Sequence, residues 1–146
     1  MTYWNDKLSV WKKTYPCKIL PPAKEEQFRK AYFLEDYAKD LCAFYKHCNG
    51  ISYEWFSILP LEDSSHIKTT WDSINVANNP SKTRFLDGDR ELLHHFLVFA
   101  ELDANRCAVM DKKEGSIWYE ENGELHQTNL SLEEFIDSVL KEVNEL

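Results

Sequence analysis

The sequence predicts an α+β domain in which a single antiparallel sheet, a meander, is covered by helices. Three observations carry that expectation. Segments with the 3.6-residue apolar period fill the first half of the chain and its end. Short runs of aromatic and β-branched residues are grouped in the second half, separated by the turn stretches DAN, KEG and ENG. Such segregation of helices and strands is the mark of an α+β arrangement, and no internal repeat or low-complexity tract competes with it. One domain spanning 1–146 suffices for a chain of this length.

The elements follow in order. Between Thr2 and Lys13, residues Trp4, Leu8 and Trp11 recur at helical spacing before Pro16. A second helix is expected from Pro22, with Glu25 and Glu26 at its positive end and Phe28, Ala31 and Tyr32 on its apolar face. From Asp36, the stripe Tyr37, Leu41, Phe44, Tyr45 and Cys48 predicts a third, closed by Asn49-Gly50, residue types tolerant of left-handed backbone. ISYEWFSILPL then has the composition of one strand. EDSSHIKTTWDSINVANNP predicts a further helix with Ile67, Trp71, Ile74 and Asn78 near one face, and Ser81 to Arg90 an exposed loop.

HHFLVFAEL, RCAVMDK, SIWYEE and ELHQT supply the meander. The last element is a helix in LSLEEFIDSVLKEVNEL. Ser131 and Glu134 have capping-box spacing, Leu130 and Phe135 that of a hydrophobic staple, and Leu132, Phe135, Ile136, Val139, Leu140 and Val143 form its apolar stripe.

Composition limits the function classes. Five Trp, seven Tyr and eight Phe against four Gly provide a core and disfavour disorder. A net charge of −8 opposes sequence-independent nucleic-acid binding and approach to anionic lipid, and favours a basic protein partner. No signal-peptide pattern and no run long enough to span a bilayer occurs, so the expected address is the cytoplasm. Cys17, Cys42, Cys48 and Cys107 have neither zinc spacing nor disulfide-scaffold density and are expected as reduced thiols.

His47 beside Cys48 invites comparison with a thiol-imidazole pair, but adjacent helical positions point about 100° apart. Cys48 also falls on the apolar stripe, where it packs as a small hydrophobe. Metal binding by Cys42, Cys48, His47 and one of His94, His95 or Cys107 lacks close ligand pairs, and His94-His95, expected to open a strand, would point to opposite faces. No nucleophile elbow, phosphate loop or HExxH helix is present. Glu62-Asp63, Glu120-Glu121 and Glu133-Glu134 read as solvated acids. Trp55, Trp71 and Trp118 with Tyr53 and Tyr119 offer an aromatic recognition surface, with core packing as the competing account. On a sheet with one covered face, the alternation in SIWYEE sends Ile117 and Tyr119 one way and Trp118 the other, leaving Trp118 as an exposed aromatic among acids.

PPAKEEQFRKAYF, then YAKDLCAFYKHCNG with Phe44, Asn49 and Gly50 in register, then FSILPLED, FLVFAELDANRCAVMDKKEGSIWYEENGE and LSLEEFIDSVL, occur in an order that resembles the SUKH superfamily. Its members include yeast regulators of cell-wall glucan synthesis and many bacterial immunity proteins. Tyr37-Ala38 stands where the family has Leu-Pro, and Asp103-Ala104-Asn105-Arg106 where it has a Gly-Asp turn. The resemblance implies a SUKH-like fold and a binding module without a catalytic centre: a cytoplasmic immunity protein that caps a cognate toxin, often a nuclease. No cofactor or metal is expected. A contact set of Trp118, Glu120, Glu121, Glu101 and Asp103 is expected. The rival expectations are an intracellular regulator or scaffold of glucan or cell-wall synthesis and, further off, a thiol enzyme using His47 and Cys48.

Overall fold

Two aromatic anchors start the chain. In the structure, a computed structural model that describes residues 3–146, helix α1 (Tyr3–Thr14) buries Trp4, Leu8 and Trp11 as their spacing predicts. Thr2, where that helix is expected to begin, lies outside the described residues. The remaining elements are β1 (Lys18–Ile19), α2 (Glu25–Lys30), α3 (Lys39–Tyr45), β2 (Ile51–Tyr53), β3 (Phe56–Ile58), α4 (Ile67–Thr70), α5 (Ile74–Ala77), α6 (Arg90–His95), β4 (Phe96–Asp103), β5 (Arg106–Asp111), β6 (Ile117–Glu121), β7 (Glu124–Gln127) and α7 (Leu132–Asn144).

The seven strands form one antiparallel sheet in the order β1-β2-β3-β4-β5-β6-β7, so each pairs with its neighbour in sequence. The α+β class and the meander are as the sequence predicts. The meander is longer than expected at its start, because ISYEWFSILPL is a hairpin: Tyr53 pairs with Phe56 and Glu54 turns the chain at φ 53°. The β6–β7 turn uses Asn122 and Gly123 at φ 54° and 82°, the left-handed pair that matches the twist of a hairpin.

Residues directly opposite in an antiparallel ladder share a face. The register therefore puts Ile51, Tyr53, Phe56, Ile58, Ala108, Met110, Ile117 and Tyr119 on one face. Helix α7 lies across it. Phe135 meets Phe56 and Phe99 edge-on with ring centroids at 6.5 and 5.7 Å, and the Tyr53 hydroxyl donates to Asn144 Oδ1 at 2.8 Å. Ser131 and Glu134 close the predicted capping box, and the whole predicted stripe of α7 is buried. Beside it, α1 is tied by Trp11 Nε1, which donates to Asp137 Oδ1 at 2.9 Å, while Trp4 packs edge-on against Phe44 of α3.

The opposite face is covered too, which corrects the expectation of a one-sided sheet. Leu97 to Ala100 and Cys107 to Met110 are unbroken buried runs, the pattern of strands with both faces packed. On this side α5 and α6 pack on β4, and Arg84 between them pairs with Glu101. Ser81–Arg90 is not simply an exposed loop: Phe85 and Leu86 are buried, and Asp89 accepts from the Glu91 and Leu92 N–H groups to start α6. That helix ends with His94 and His95, which the sequence places in a strand; both are exposed, their rings edge to face at 5.1 Å.

Three further expectations are corrected. The helix predicted across Ser64–Asn78 is broken, because Ser73 accepts from the Val76 N–H at 3.2 Å and so caps a new helix. Of its proposed apolar face only Ile74 is buried; Ile67 and Trp71 are 50% and 65% exposed. Asn78 instead bonds Val98, accepting from its N–H at 2.7 Å and donating to its carbonyl at 2.8 Å, and thereby continues the ladder where β3 ends. Helix α2 starts at Glu25, three residues after Pro22, and leaves Tyr32 84% exposed. Finally, α3 ends at Tyr45, and Asn49-Gly50 is a junction beyond its last turn, not its cap. Asn49 clamps Leu61 as Asn78 clamps Val98, and Gly50 passes close to β3.

Candidate protein-binding surface

Helix α7 leaves the end of β5 and β6 near Arg106, Tyr119 and Glu121 uncovered. Between it and the face of β5 and β6 runs a cleft of about 500 Å³ whose walls include Trp55, Arg106, Tyr119, Glu121, Thr128 and Glu142. Strand alternation places Arg106, Tyr119 and Glu121 there, since Arg106 and Tyr119 flank and face Ala108 on the same side. Trp55 arrives from the β2–β3 turn and Glu142 from the last turns of α7. Glu142 and Ser138 also border an adjoining depression along α7 with Glu133, Glu134, Asp137, Lys141 and Glu145. An aromatic-lined groove thus opens onto a strip of carboxylates.

The floor is rigidly held. Arg106 Nε donates to Asp103 Oδ1 at 2.6 Å and Nη1 to the Glu120 carbonyl at 3.1 Å. The hydrogen bond to Asp103 raises the guanidinium pKa further, with help from the charges of Asp103, Glu121 and Glu120, so Arg106 stays a fixed cation in an acidic neighbourhood. Tyr119 stacks on His126 with centroids at 5.4 Å and an interplanar angle of 28°. Among the described residues, no Lys, Arg or His lies within ion-pair distance of Glu121, Glu124, Glu142 or Glu145.

The five residues expected as a contact set do not share one face. Glu121 lines the groove, and Asp103 pairs with Arg106 on its floor. Trp118 and Glu120 are on the opposite side of β6, where Trp118 is half-buried, meets Phe96 edge-on at 5.8 Å and donates from Nε1 to Ser116 Oγ at 3.0 Å. Glu101 lies on that same side but on β4, paired with Arg84 at 3.0 Å in a network that also holds Asp72. Of the aromatics that the sequence offers as a recognition surface, Trp55 and Tyr119 line the groove, whereas Tyr53, Trp71 and Trp118 do not. Arg106 and Glu142 are not singled out by the sequence, and that α7 stops short of Tyr119 is a tertiary fact.

The residues weighed for chemistry fall elsewhere. Cys48 is fully buried, and burial pushes its thiol up to about 12, as it does that of Cys107. A thiol so shifted is held in its unreactive protonated form, the reverse of what nucleophilic catalysis needs. Burial raises the partly exposed Cys17 and Cys42 as well. Iodoacetamide at mildly alkaline pH should therefore modify Cys48 and Cys107 only at the rate of global unfolding, and Cys17 and Cys42 sooner, as followed by peptide mass mapping over time. Rapid labelling of Cys48 in the native chain would contradict this burial. Among the described residues, no three His, Cys, Asp or Glu side chains converge as a metal site would require. No helix among them is long and apolar enough to cross a membrane.

What the fold and its open surface define is an α+β domain on an antiparallel meander, with a carboxylate-rimmed groove at one end of the sheet. The family model of the SMI1/KNR4 family (SUKH-1) matches residues 38–138, from the entry of α3 to the middle of α7, and the chain belongs to that family. Phe44, Asn49 and Gly50, the motif on which the resemblance partly rests, lie inside the match. Among curated proteins and among solved structures, nothing matches the chain.

Proposed function

We propose that the chain is an immunity protein that acts in the cytoplasm by binding a cognate toxin of basic surface, of the nuclease type, and occluding the face with which that toxin holds phosphates. The observation that carries this reading is the continuity of the aromatic groove with a strip of carboxylates, of which Glu121, Glu142 and Glu145 have no cation within ion-pair distance among the described residues. A phosphate-holding surface is rich in Lys and Arg, and opposed charge both steers the encounter and rejects acidic competitors. Trp55 and Tyr119 supply the large amphipathic side chains that anchor protein interfaces.

A partner seated at the β6–β7 edge touches both sides of the sheet, so Trp118 and Glu120 join Glu121 and Asp103 in the contact surface. Glu101, held by Arg84 and three strands inward, falls outside it. The test is genetic and then physical. A large secreted protein should be encoded beside this gene and should arrest growth of a host, and co-expression of this chain should restore it. Glu121→Lys combined with Glu142→Lys should weaken the complex at least tenfold by calorimetry and reduce its dependence on salt. An acidic partner, or a complex indifferent to both reversals, would overturn the proposal.

A further inference from the structure

The sheet ends at β7, and among the described residues no strand lies beyond it. Strands β6 and β7 pair Tyr119 with His126 and Glu121 with Glu124. Just past β7, the Thr128 N–H donates to the Ile117 carbonyl at 3.0 Å, which marks 117 and 128 as a hydrogen-bonded pair in the same register. Hydrogen-bonded and non-hydrogen-bonded pairs alternate along an antiparallel ladder. His126 and Glu124 therefore direct their backbone groups to β6, while the N–H and C=O of Leu125 and Gln127 point out of the sheet.

Proteins blunt an edge of this kind with short strands, charged side chains, proline or a covering segment. Glu124-Leu125-His126-Gln127 is short and carries neither Lys nor Pro, and its one acid, Glu124, opposes an acidic strand while favouring a basic one. Gln127 and Thr128 form part of the groove wall, so the open edge and the groove are continuous. Glu121 and Glu124 are exposed and paired across the ribbon, without a cation within ion-pair distance among the described residues.

We propose that β7 is the docking edge: an extended, positively charged segment of the partner adds to it as a further strand. Its backbone bonds the donor and acceptor of Leu125 and of Gln127, and its alternate Lys or Arg side chains enter the groove beside Glu121, Tyr119 and Glu142. The charge decides against a second copy of this chain as occupant. Edge-to-edge pairing about a two-fold axis would gather Glu121 and Glu124 of both copies in one short ribbon, with a net charge of −8 on each chain.

This inference rests on the reading of the chain as the binder of a basic protein, and one experiment separates the two. Amide exchange of the full chain is followed by NMR at low salt with a ten-residue peptide alternating arginine and valine, and with a control alternating glutamate and valine. The basic peptide should slow exchange of the Leu125 and Gln127 amides at least tenfold, and the acidic one should not. Gln127→Pro removes only an outward N–H, a substitution that edge strands accommodate, and should abolish the slowing with the unfolding midpoint kept. Glu121→Lys with Glu124→Lys, which leaves the strand backbone intact, should abolish it as well. If the basic peptide shifts resonances along α7 yet leaves both amides exchanging as in the free protein, edge docking is overturned and the acidic-surface reading survives. If it perturbs nothing, both fall. Slowing that needs no peptide and grows with protein concentration would identify a second copy and overturn the proposal.

Discussion

Asn49→Ala should destabilise the fold by about 3–5 kcal/mol, seen as a lower urea midpoint with an unchanged slope. The side chain is buried, donates from Nδ2 to the Leu61 carbonyl at 3.0 Å and accepts at Oδ1 from the Leu61 N–H at 2.8 Å. Alanine would leave both backbone groups buried without partners, and each orphaned group costs about 1–3 kcal/mol. Because the total stability of a domain is only about 5–15 kcal/mol, this one amide holds a large share of it. Asn49→Asp is the control. Its carboxylate can accept from Leu61 but cannot donate, and the burial that opposes its charge raises its folded-state pKa above the unfolded value. Stability is then fully present below the unfolded pKa and lost as pH rises toward the folded one. The Asp variant should therefore resemble the Ala variant at neutral pH and recover in acid, where the protonated carboxyl donates again. A loss below about 1 kcal/mol for Asn49→Ala would mean that water replaces the amide.

Asn49 also shows where sequence reasoning reaches and where it stops. An Asn-Gly pair after an apolar stripe announces that a helix is over, and the helix is indeed over. What the side chain grips is a residue twelve positions away, and no local pattern encodes that. Asn78, which bonds Val98, reads as part of a helical face for the same reason. By contrast α1, α7 and the strands from β4 to β7 are legible, because each is specified by local periodicity, capping or turn chemistry. The helix expected across Ser64–Asn78 fails where Ser73 offers its hydroxyl as a cap in mid-pattern. A serine inside an apolar period is ambiguous until the tertiary fold chooses between continuation and restart.

The candidate surface is legible in charge and not in shape. The acids of β6 and α7 stand in the sequence, and a net charge of −8 already favours a basic partner. Which acids act together depends on how far α7 reaches across the sheet and on what covers the other side. Phe85, within a segment that reads as a polar loop, is buried, and its neighbour Arg84 pairs with Glu101 on the opposite face of β4. Were that face open, the aromatic contact would fall at Trp118. With both faces covered at the centre, the open aromatic surface moves to Tyr119 and Trp55, at the margin α7 does not reach. Binding at the margin also brings the exposed backbone of β7 within reach of the same partner.

Gly50→Ala should cost about 3–5 kcal/mol, whereas Gly123→Ala should cost about 1 kcal/mol, although both glycines have positive φ. Gly123, at φ 82° in the β6–β7 turn, has no heavy atom within 4 Å of the position an alanine methyl would take, so only backbone preference opposes the substitution. Gly50 is at φ 122°, and a Cβ there would lie 2.8 Å from the Ile58 carbonyl oxygen. That oxygen cannot move aside freely, because Ile58 is paired with Ile51 on one side and with Ala100 on the other. Gly50 is constrained in turn by its own carbonyl, which accepts from the Leu20 N–H at 3.0 Å and carries the chain past β1. Relief would have to come from separating the junction after α3 from the β2–β3 hairpin, which would disturb the clamp of Asn49 on Leu61 as well. Thermal unfolding of the two variants, measured side by side, compares conformational preference alone with preference plus close approach. Equal losses would show that the approach of Gly50 to Ile58 relaxes without cost, and that the Asn-Gly junction is held by its asparagine alone.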